Sequence, residues 1–336
     1  MNNSDKNPFE QWIQLAQPRL GARIVFATDD FFAPKERLID PTDPVFIEDK
    51  YDDHGKWMDG WESRRRRDGG HDYCVIKLNM EAMIHGVDID TSFFTGNFPP
   101  EASIEACFCH EDRPTDDQDW HEILPRVSLA GDSHHYLPVV GEKVITHLRL
   151  NIYPDGGVAR LRVYGEVHRN FTDCGSATNV DLVAIENGGR ALCCSDEHYG
   201  TMHNLNLPGP AINMGDGWET GRRRGPGNDW VIMMLGHLGI VNNIEINTAH
   251  FKGNYPDRVE VLAARVDSME GLKDESKHWP ILLPSTKLAP DSRHCYRDEL
   301  ENMGPISHIR MNIYPDGGIS RLRLFGSLIV LPNEIE

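Results

Sequence analysis

Apolar and polar positions alternate along much of this chain with the period of two that marks β-strands. In Thr146–Ile152, Leu148, Leu150 and Ile152 fall on one face, with His147, Arg149 and Asn151 on the other. Ser103–Phe108 places Ile104, Ala106 and Phe108 together, Ala159–Gly165 alternates again, and Asp72–Leu78 is a short β-rich run. The Y-P-D-G-G between the last two runs of the first half predicts a hairpin, with proline setting φ and glycines supplying positive φ. Phe9–Gln17, opened by Pro8, is the one segment that predicts a helix. The 30 glycines and 21 prolines punctuate the runs at short spacing. Many short strands with turn-rich connections predict an all-β fold, a β-sandwich of jelly-roll type.

The pattern occurs twice. N-I-Y-P-D-G-G at Asn151–Gly157 returns letter for letter at Asn312–Gly318, and the following V-A-R-L-R-V-Y-G returns as I-S-R-L-R-L-F-G. D-G-W-E at Asp59–Glu62 returns at Asp216–Glu219, F-T-G-N-F-P at Phe94–Pro99 as F-K-G-N-Y-P, and D-S-H-H at Asp132–His135 as D-S-R-H. Gly21–Phe32 resembles Gly188–Tyr199. The blocks keep their order, which defines a tandem duplication with loop-length differences, the first copy being longer between Leu38 and Asp59. The copies span 13–167 and 180–331, with 168–179 as a polar linker. Each is long enough to form its own jelly roll around its own core.

Composition narrows the function. Of 336 residues, 34 are Lys or Arg and 52 Asp or Glu, for a net charge of −18. So acidic a chain lacks the basic character that nucleic acid or an anionic membrane attracts. No apolar run reaches the ~18 residues of a membrane span, and the polar start carries no apolar signal core, so a cytoplasmic protein is expected. The seven cysteines, Cys74, Cys107, Cys109, Cys174, Cys193, Cys194 and Cys295, form no C-x-x-C pair. They are expected to be reduced, buried thiols.

No phosphate loop, nucleophile elbow or H-E-x-x-H helix is present. Sixteen histidines form no compact metal-binding spacing, and a site assembled from distant segments stays open. The repeated polar residues carry the chemistry. Asp59-Gly60-Trp61-Glu62 precedes Arg64–Arg67, and Asp216-Gly217-Trp218-Glu219 precedes Arg222–Arg224. An arginine can grip a substrate carboxylate while the glutamate moves a proton. The other reading is a charged loop whose tryptophan anchors the core. Asp72 and Asp229 open a strand and can buttress an arginine. His250 is an acid or base present only in the second copy, or a hydrogen-bonded surface histidine. Asn97 and Asn254 sit in G-N-x-P turns. His147 and His308, beside Arg149 and Arg310, line a pocket or face water.

These blocks, with F-A-T-D-D-F-F-A-P (26–34), D-T-S-F-F-T-G-N (90–97), S-D-E-H-Y-G (195–200) and N-T-A-H-F-K-G-N-Y-P-D (247–257), resemble the allantoicase family over nearly the whole chain. The resemblance implies two galactose-binding-like jelly rolls, hydrolysis of allantoate to ureidoglycolate and urea in purine breakdown, and a cytoplasmic homo-oligomer. It implies Glu62, His71, Asp90, Glu219 and His250 as catalytic. It implies Asp30, Asp59, Arg64, Arg65, Asn97, Asp216, Arg222, Arg223 and Asn254 as substrate-binding. The route requires no cofactor, and a divalent metal can assist. Gly221, Asn228 and Asn247 stand where the family has Arg, His and Asp, and Phe93 where many bacterial members have His. Those departures predict a nearly silent second copy, with His250 as its one outside contributor. The competing class is a non-catalytic binding protein, since galactose-binding-like jelly rolls often bind carbohydrate without chemistry.

Overall fold

The computed structural model describes residues 7–141, 143–171 and 179–329. The chain divides into two compact units, Met1–His168 and Arg169–Glu336. Most of the expected linker, 172–178, lies outside the described residues, as does Cys174.

The first unit contains β1 (Ile13–Gln14), β2 (Arg23–Ala27), β3 (Tyr51–Asp52), β4 (Gly55–Lys56), β5 (Trp61–Glu62), β6 (Asp72–Asp90), β7 (Glu101–Cys107), β8 (His121–Ser128), β9 (His134–Pro138), β10 (Ile145–Tyr153), β11 (Gly157–Val158) and β12 (Arg160–Val167). The second contains β13 (Val180–Asp181), β14 (Arg190–Cys194), β15 (Trp218–Glu219), β16 (Asp229–Asn247), β17 (Arg258–Ala264), β18 (Ile281–Lys287), β19 (Arg293–Tyr296), β20 (Ile306–Tyr314), β21 (Gly318–Ile319) and β22 (Arg321–Leu328).

One long strand organises each unit. The start of β6 pairs with β2 and β10, and its end pairs with β9 and β12. β6 therefore bends from one layer of the sandwich to the other, through the register shift beyond Lys77. The layers run β2-β6-β10-β7-β8 and β1-β12-β6-β9. Between them lie Cys74, Ile76, Ile104, Leu148, Leu150, Ile152, Val87, Ile89, Leu161 and Val163, each at most 4% exposed. β16 repeats the arrangement with β14 and β20, then β19 and β22. Both units are jelly rolls.

Four local expectations are corrected. Y-P-D-G-G is not a hairpin: β10 and β12 each pair with β6, not with each other. Its tail instead forms β11, which pairs with β5. The second glycine is needed for close approach, since a Cβ on Gly157 would lie 2.0 Å from the Phe94 ring. Phe9–Gln17 is not a helix. Ile13 and Gln14 extend the sheet beside β12, and the Phe9 ring packs over Gly86 and against Tyr164 at 5.8 Å. Packing on an open sheet edge overrides local propensity there. Phe108 falls beyond β7 and is 39% exposed. Among the thiols, Cys74, Cys107 and Cys109 are buried as expected, whereas Cys295 is exposed.

The polar face of β10 is covered. His147 is fully buried, with Nδ1 at 2.9 Å from Thr146 Oγ1 and Nε2 at 3.2 Å from the Asp112 carbonyl oxygen. Burial pushes its pKa down to about 4, and does the same to His308.

β9 is tied to β6 by His134, whose Nδ1 donates to Asp88 Oδ2 at 2.8 Å. That bond raises the His134 pKa to about 9 against the opposing pull of burial. A raised folded-state pKa stabilises the fold fully below the unfolded value of ~6.5 and loses that stabilisation as pH climbs through the folded value. The second copy replaces the pair with Arg293 on Glu245, a cation that does not titrate there. Between pH 6.5 and 9 the wild-type melting temperature should therefore fall more steeply than that of His134→Asn. Parallel curves from pH-resolved thermal melts would remove the assignment.

Candidate active site

Alternation along the two-residue β5 puts Trp61 inward and Glu62 outward. The Trp61 side chain is fully buried, and its indole N–H donates to the Asp29 carbonyl at 2.8 Å. Glu62 is held by backbone bonds to Ala33 on one side and pairing with Gly157 on the other. Its Oε1 accepts from Asn97 Nδ2 at 2.8 Å. Burial raises the Glu62 pKa, and the Asn97 bond only partly offsets it. The carboxyl opens into a cleft of about 470 Å³ walled by Phe32 and Phe98 and floored by Asp155 and Gly156. That lies within the ~300–1,000 Å³ span of small-molecule sites.

The four arginines after Glu62 are not equivalent. Arg64 folds back on Asp29, with Nε at 2.8 Å and Nη2 at 2.6 Å from Oδ2. Asp29 feels burial as an upward pull, but the Arg64 bonds outweigh it and its pKa is lowered. Arg66 straddles Asp68 and Asp72, at 2.7 and 2.8 Å. Asp72 thus buttresses an arginine. Arg65 lines the cleft, is exposed, and carries no partner among the described residues. Of the two arginines lining the cleft, Arg65 and Arg66, it is the one without a partner among the described residues.

Several expected site residues already have partners within the fold. Asp59 pairs through Oδ2 with Arg160 Nη2 at 2.9 Å, and Arg160 is 1% exposed. Asp216 does the same for the buried Arg321, also at 2.9 Å. Both carboxylates are engaged by a buried guanidinium. Asp30 pairs with Lys35 at 3.0 Å. Asp90, 2% exposed, accepts the Ser92 N–H at 2.8 Å, and Asn247 accepts the Ala249 N–H at the same distance. An amide does this work as well as a carboxylate, so the position caps a turn. His71 Nε2 meets Asn151 Oδ1 at 3.3 Å, and Asn228 Nδ2 donates to Asn312 Oδ1 at 3.3 Å. Again the amide keeps the contact. His250 adopts φ 71° as Phe93 adopts 69°, and its Nε2 lies 2.9 Å from the Ala211 carbonyl oxygen. The structure couples it to that loop and gives it no contact with Glu219.

The second copy rebuilds the first cleft's framework. Asn254 Nδ2 donates to Glu219 Oε1, and Trp218 Nε1 donates to the Asp196 carbonyl at 2.9 Å. Arg223 pairs with Asp229, and its backbone N–H donates to Asp316 Oδ2 at 2.8 Å, as that of Arg66 does to Asp155 at 2.7 Å. Arg222 takes the Arg65 position, exposed and without a partner among the described residues.

Sequence reasoning passed over Asp29, Asp155, Phe32 and Phe98. Their signal was present for the two aspartates: Asp29 returns as Asp196 and Asp155 as Asp316, inside repeated blocks. Among the described residues no group of three or more His, Cys, Asp or Glu side chains is arranged to hold a metal ion.

Fold and site together define a tandem jelly-roll protein in which one Glu–Asn–Arg constellation is built twice. The Allantoicase repeat model matches residues 13–168 and 180–329. A probable allantoicase of Ralstonia nicotianae is 55% identical over 316 residues, covering 94% of each chain. One from Pseudomonas aeruginosa is 53% identical over 327 residues, covering 97% of this chain and 98% of its own. The crystal structure of allantoicase from Saccharomyces cerevisiae superposes with a TM-score of 0.81 at 34% identity, covering 97% of this chain and 98% of that one. This chain belongs to the allantoicase family.

Proposed function

We propose that this chain hydrolyses allantoate to ureidoglycolate and urea, with Glu62 moving the proton and Arg65 holding the substrate. The carrying observation is the Glu62–Asn97 pair beside an unpaired Arg65 in one cleft. Allantoate has a central carbon bearing a carboxylate, a hydrogen and two ureido groups. Arg65 forks onto the carboxylate. In its protonated form, which burial favours by raising the pKa, Glu62 gives its proton to the departing ureido nitrogen. The lone pair of the other ureido nitrogen moves toward the central carbon as the carbon–nitrogen bond breaks and urea leaves. Water then adds to that carbon, and the Glu62 carboxylate takes its proton. The cycle returns Glu62 to its starting state and consumes one water. Asn97 fixes the carboxyl orientation. Kinship with allantoicases along the whole chain favours this reading over a non-catalytic binding protein.

We further propose a cytoplasmic homo-oligomer without nucleic-acid or membrane partners. The net charge of −18 supports the latter. Among the described residues no helix is long and apolar enough to cross a membrane. Exposed Val45, Phe46, Ile47 and Tyr51, gathered on the longer first-copy segment, support a self-association surface.

Urea release by the purified protein, with and without added divalent metal, tests the reaction. On a Glu219→Gln background, so that the second repeat does not contribute, Arg65→Ala should lower kcat/KM by more than tenfold, on the ~1.5–3 kcal/mol scale of a hydrogen bond to a charged group. Arg64→Ala should cost less, since its guanidinium is already spent on Asp29. The reverse ranking rejects Arg65 as the anchor.

A further inference from the structure

The departures at 221, 228 and 247 pointed to a silent second copy. Two of them keep the local geometry, because Asn228 and Asn247 make the hydrogen bonds that correspond to those of His71 and Asp90. What remains is Gly221 in place of Arg64. Its consequence is electrostatic. Asp29 and Asp196 each accept the backbone N–H of the residue opposite, at 2.8 Å from Arg64 and 2.6 Å from Gly221. The loop is thus held the same way in both copies. Only Asp29 is also neutralised by a guanidinium. Among the described residues no cation pairs with the Asp196 carboxylate.

From this we infer that the second repeat is a second catalytic cleft for the same anionic substrate, with Glu219 as its proton-moving group and a weaker hold on the substrate. The inference rests on the assignment of Glu62 and Arg65 in the first repeat. Glu219 bears the same Asn bond as Glu62, Arg222 stands open like Arg65, and Thr220 binds Gly317 as Ser63 binds Gly156. The carboxyl, its asparagine partner and the open arginine are all present. The uncompensated Asp196 carboxylate repels a substrate carboxylate, which raises KM roughly tenfold at the separations and screening of a partly exposed site. The two copies thus form a low-KM and a high-KM cleft in one chain.

Gly221 makes the idea testable in the gain direction. A Cβ there meets nothing nearer than Asp196 Oδ2 at 3.5 Å and His198 Cβ at 3.6 Å, and the backbone is not in the positive-φ region. An arginine fits, with Asp196 in reach. Urea release should be followed across a wide allantoate range for Glu62→Gln, Glu219→Gln, the double variant, and Glu62→Gln with Gly221→Arg, each checked by circular dichroism. Glu62→Gln should keep activity at a roughly tenfold higher KM. Glu219→Gln should keep the low-KM activity, and the double variant should fall to the blank. Adding Gly221→Arg to Glu62→Gln should bring KM back toward wild type. If Glu62→Gln is inactive at every concentration while Glu219→Gln is unimpaired, the first cleft stands and the second is not catalytic. If the double variant retains full activity, the assignment of the first cleft falls as well. An unchanged KM on adding Gly221→Arg overturns the electrostatic account of the difference.

Discussion

Asp59→Asn should destabilise the first unit by about 3–5 kcal/mol, the usual cost of removing one partner from a buried ion pair. Arg160 is 1% exposed and directs Nη2 at Asp59 Oδ2. Its remaining bonds go to the carbonyls of Thr42, Asp59 and Ala159, which cannot neutralise a guanidinium. Asparagine keeps the shape of the side chain and an oxygen for the Val45 N–H that Asp59 now accepts. The loss therefore reads the charge. Asp216→Asn should do the same to the second unit, where Arg321 and Asp216 are 3% and 5% exposed. Asp30→Asn is the contrast. Its bridge to Lys35 is partly solvated and should be worth less than about 1 kcal/mol. Chemical denaturation, following the transition of the altered unit, measures all three. If Asp59→Asn costs no more than Asp30→Asn, Asp59 is not a structural anchor and its reading as a substrate ligand revives.

That contrast marks what the chain's pattern reveals and what it conceals. D-G-W-E was legible as a unit because duplication had kept it, yet duplication keeps structural and chemical residues alike. Of its four residues, Asp59 and Trp61 serve the core, and only Glu62 faces the cleft. No local pattern separates Asp59 from Glu62, because the buried Arg160 that claims Asp59 lies far along the chain, at the start of β12. Arg64 and Arg65 are adjacent and alike in sequence. Asp29, from the strand-to-loop junction after β2, decides which of them is free. The strands themselves were legible wherever apolar and polar residues alternate, as in β10 and β12, although the polar face of β10 is covered as well. The bend of β6 between layers was not, since Asp72–Leu78 and the residues after it pair with different partners across one continuous strand. Y-P-D-G-G carries every local mark of a hairpin. Its actual path follows from β6 lying between the strands it joins.

The asparagines teach a related lesson. Reading Asn228 and Asn247 as lost acid–base groups assumed that the family's His and Asp act by titrating. In both copies the contact is a hydrogen bond that an amide makes equally well. A substitution that removes charge but keeps geometry is informative about role only once the partner is known.

Glu62 carries the account's central claim. General acid–base help is worth ~10²–10⁴-fold. Gln at this position keeps an oxygen for Asn97 and the backbone pairing of β5, but can neither give nor take the proton. The most direct test compares kcat for urea release from allantoate between Glu219→Gln and the Glu62→Gln, Glu219→Gln double variant, so that the second cleft contributes to neither. The prediction is a fall of ~10²–10⁴-fold with unchanged circular dichroism. A double variant whose kcat stays within a few-fold of Glu219→Gln would place the proton transfer outside this cleft and contradict the account.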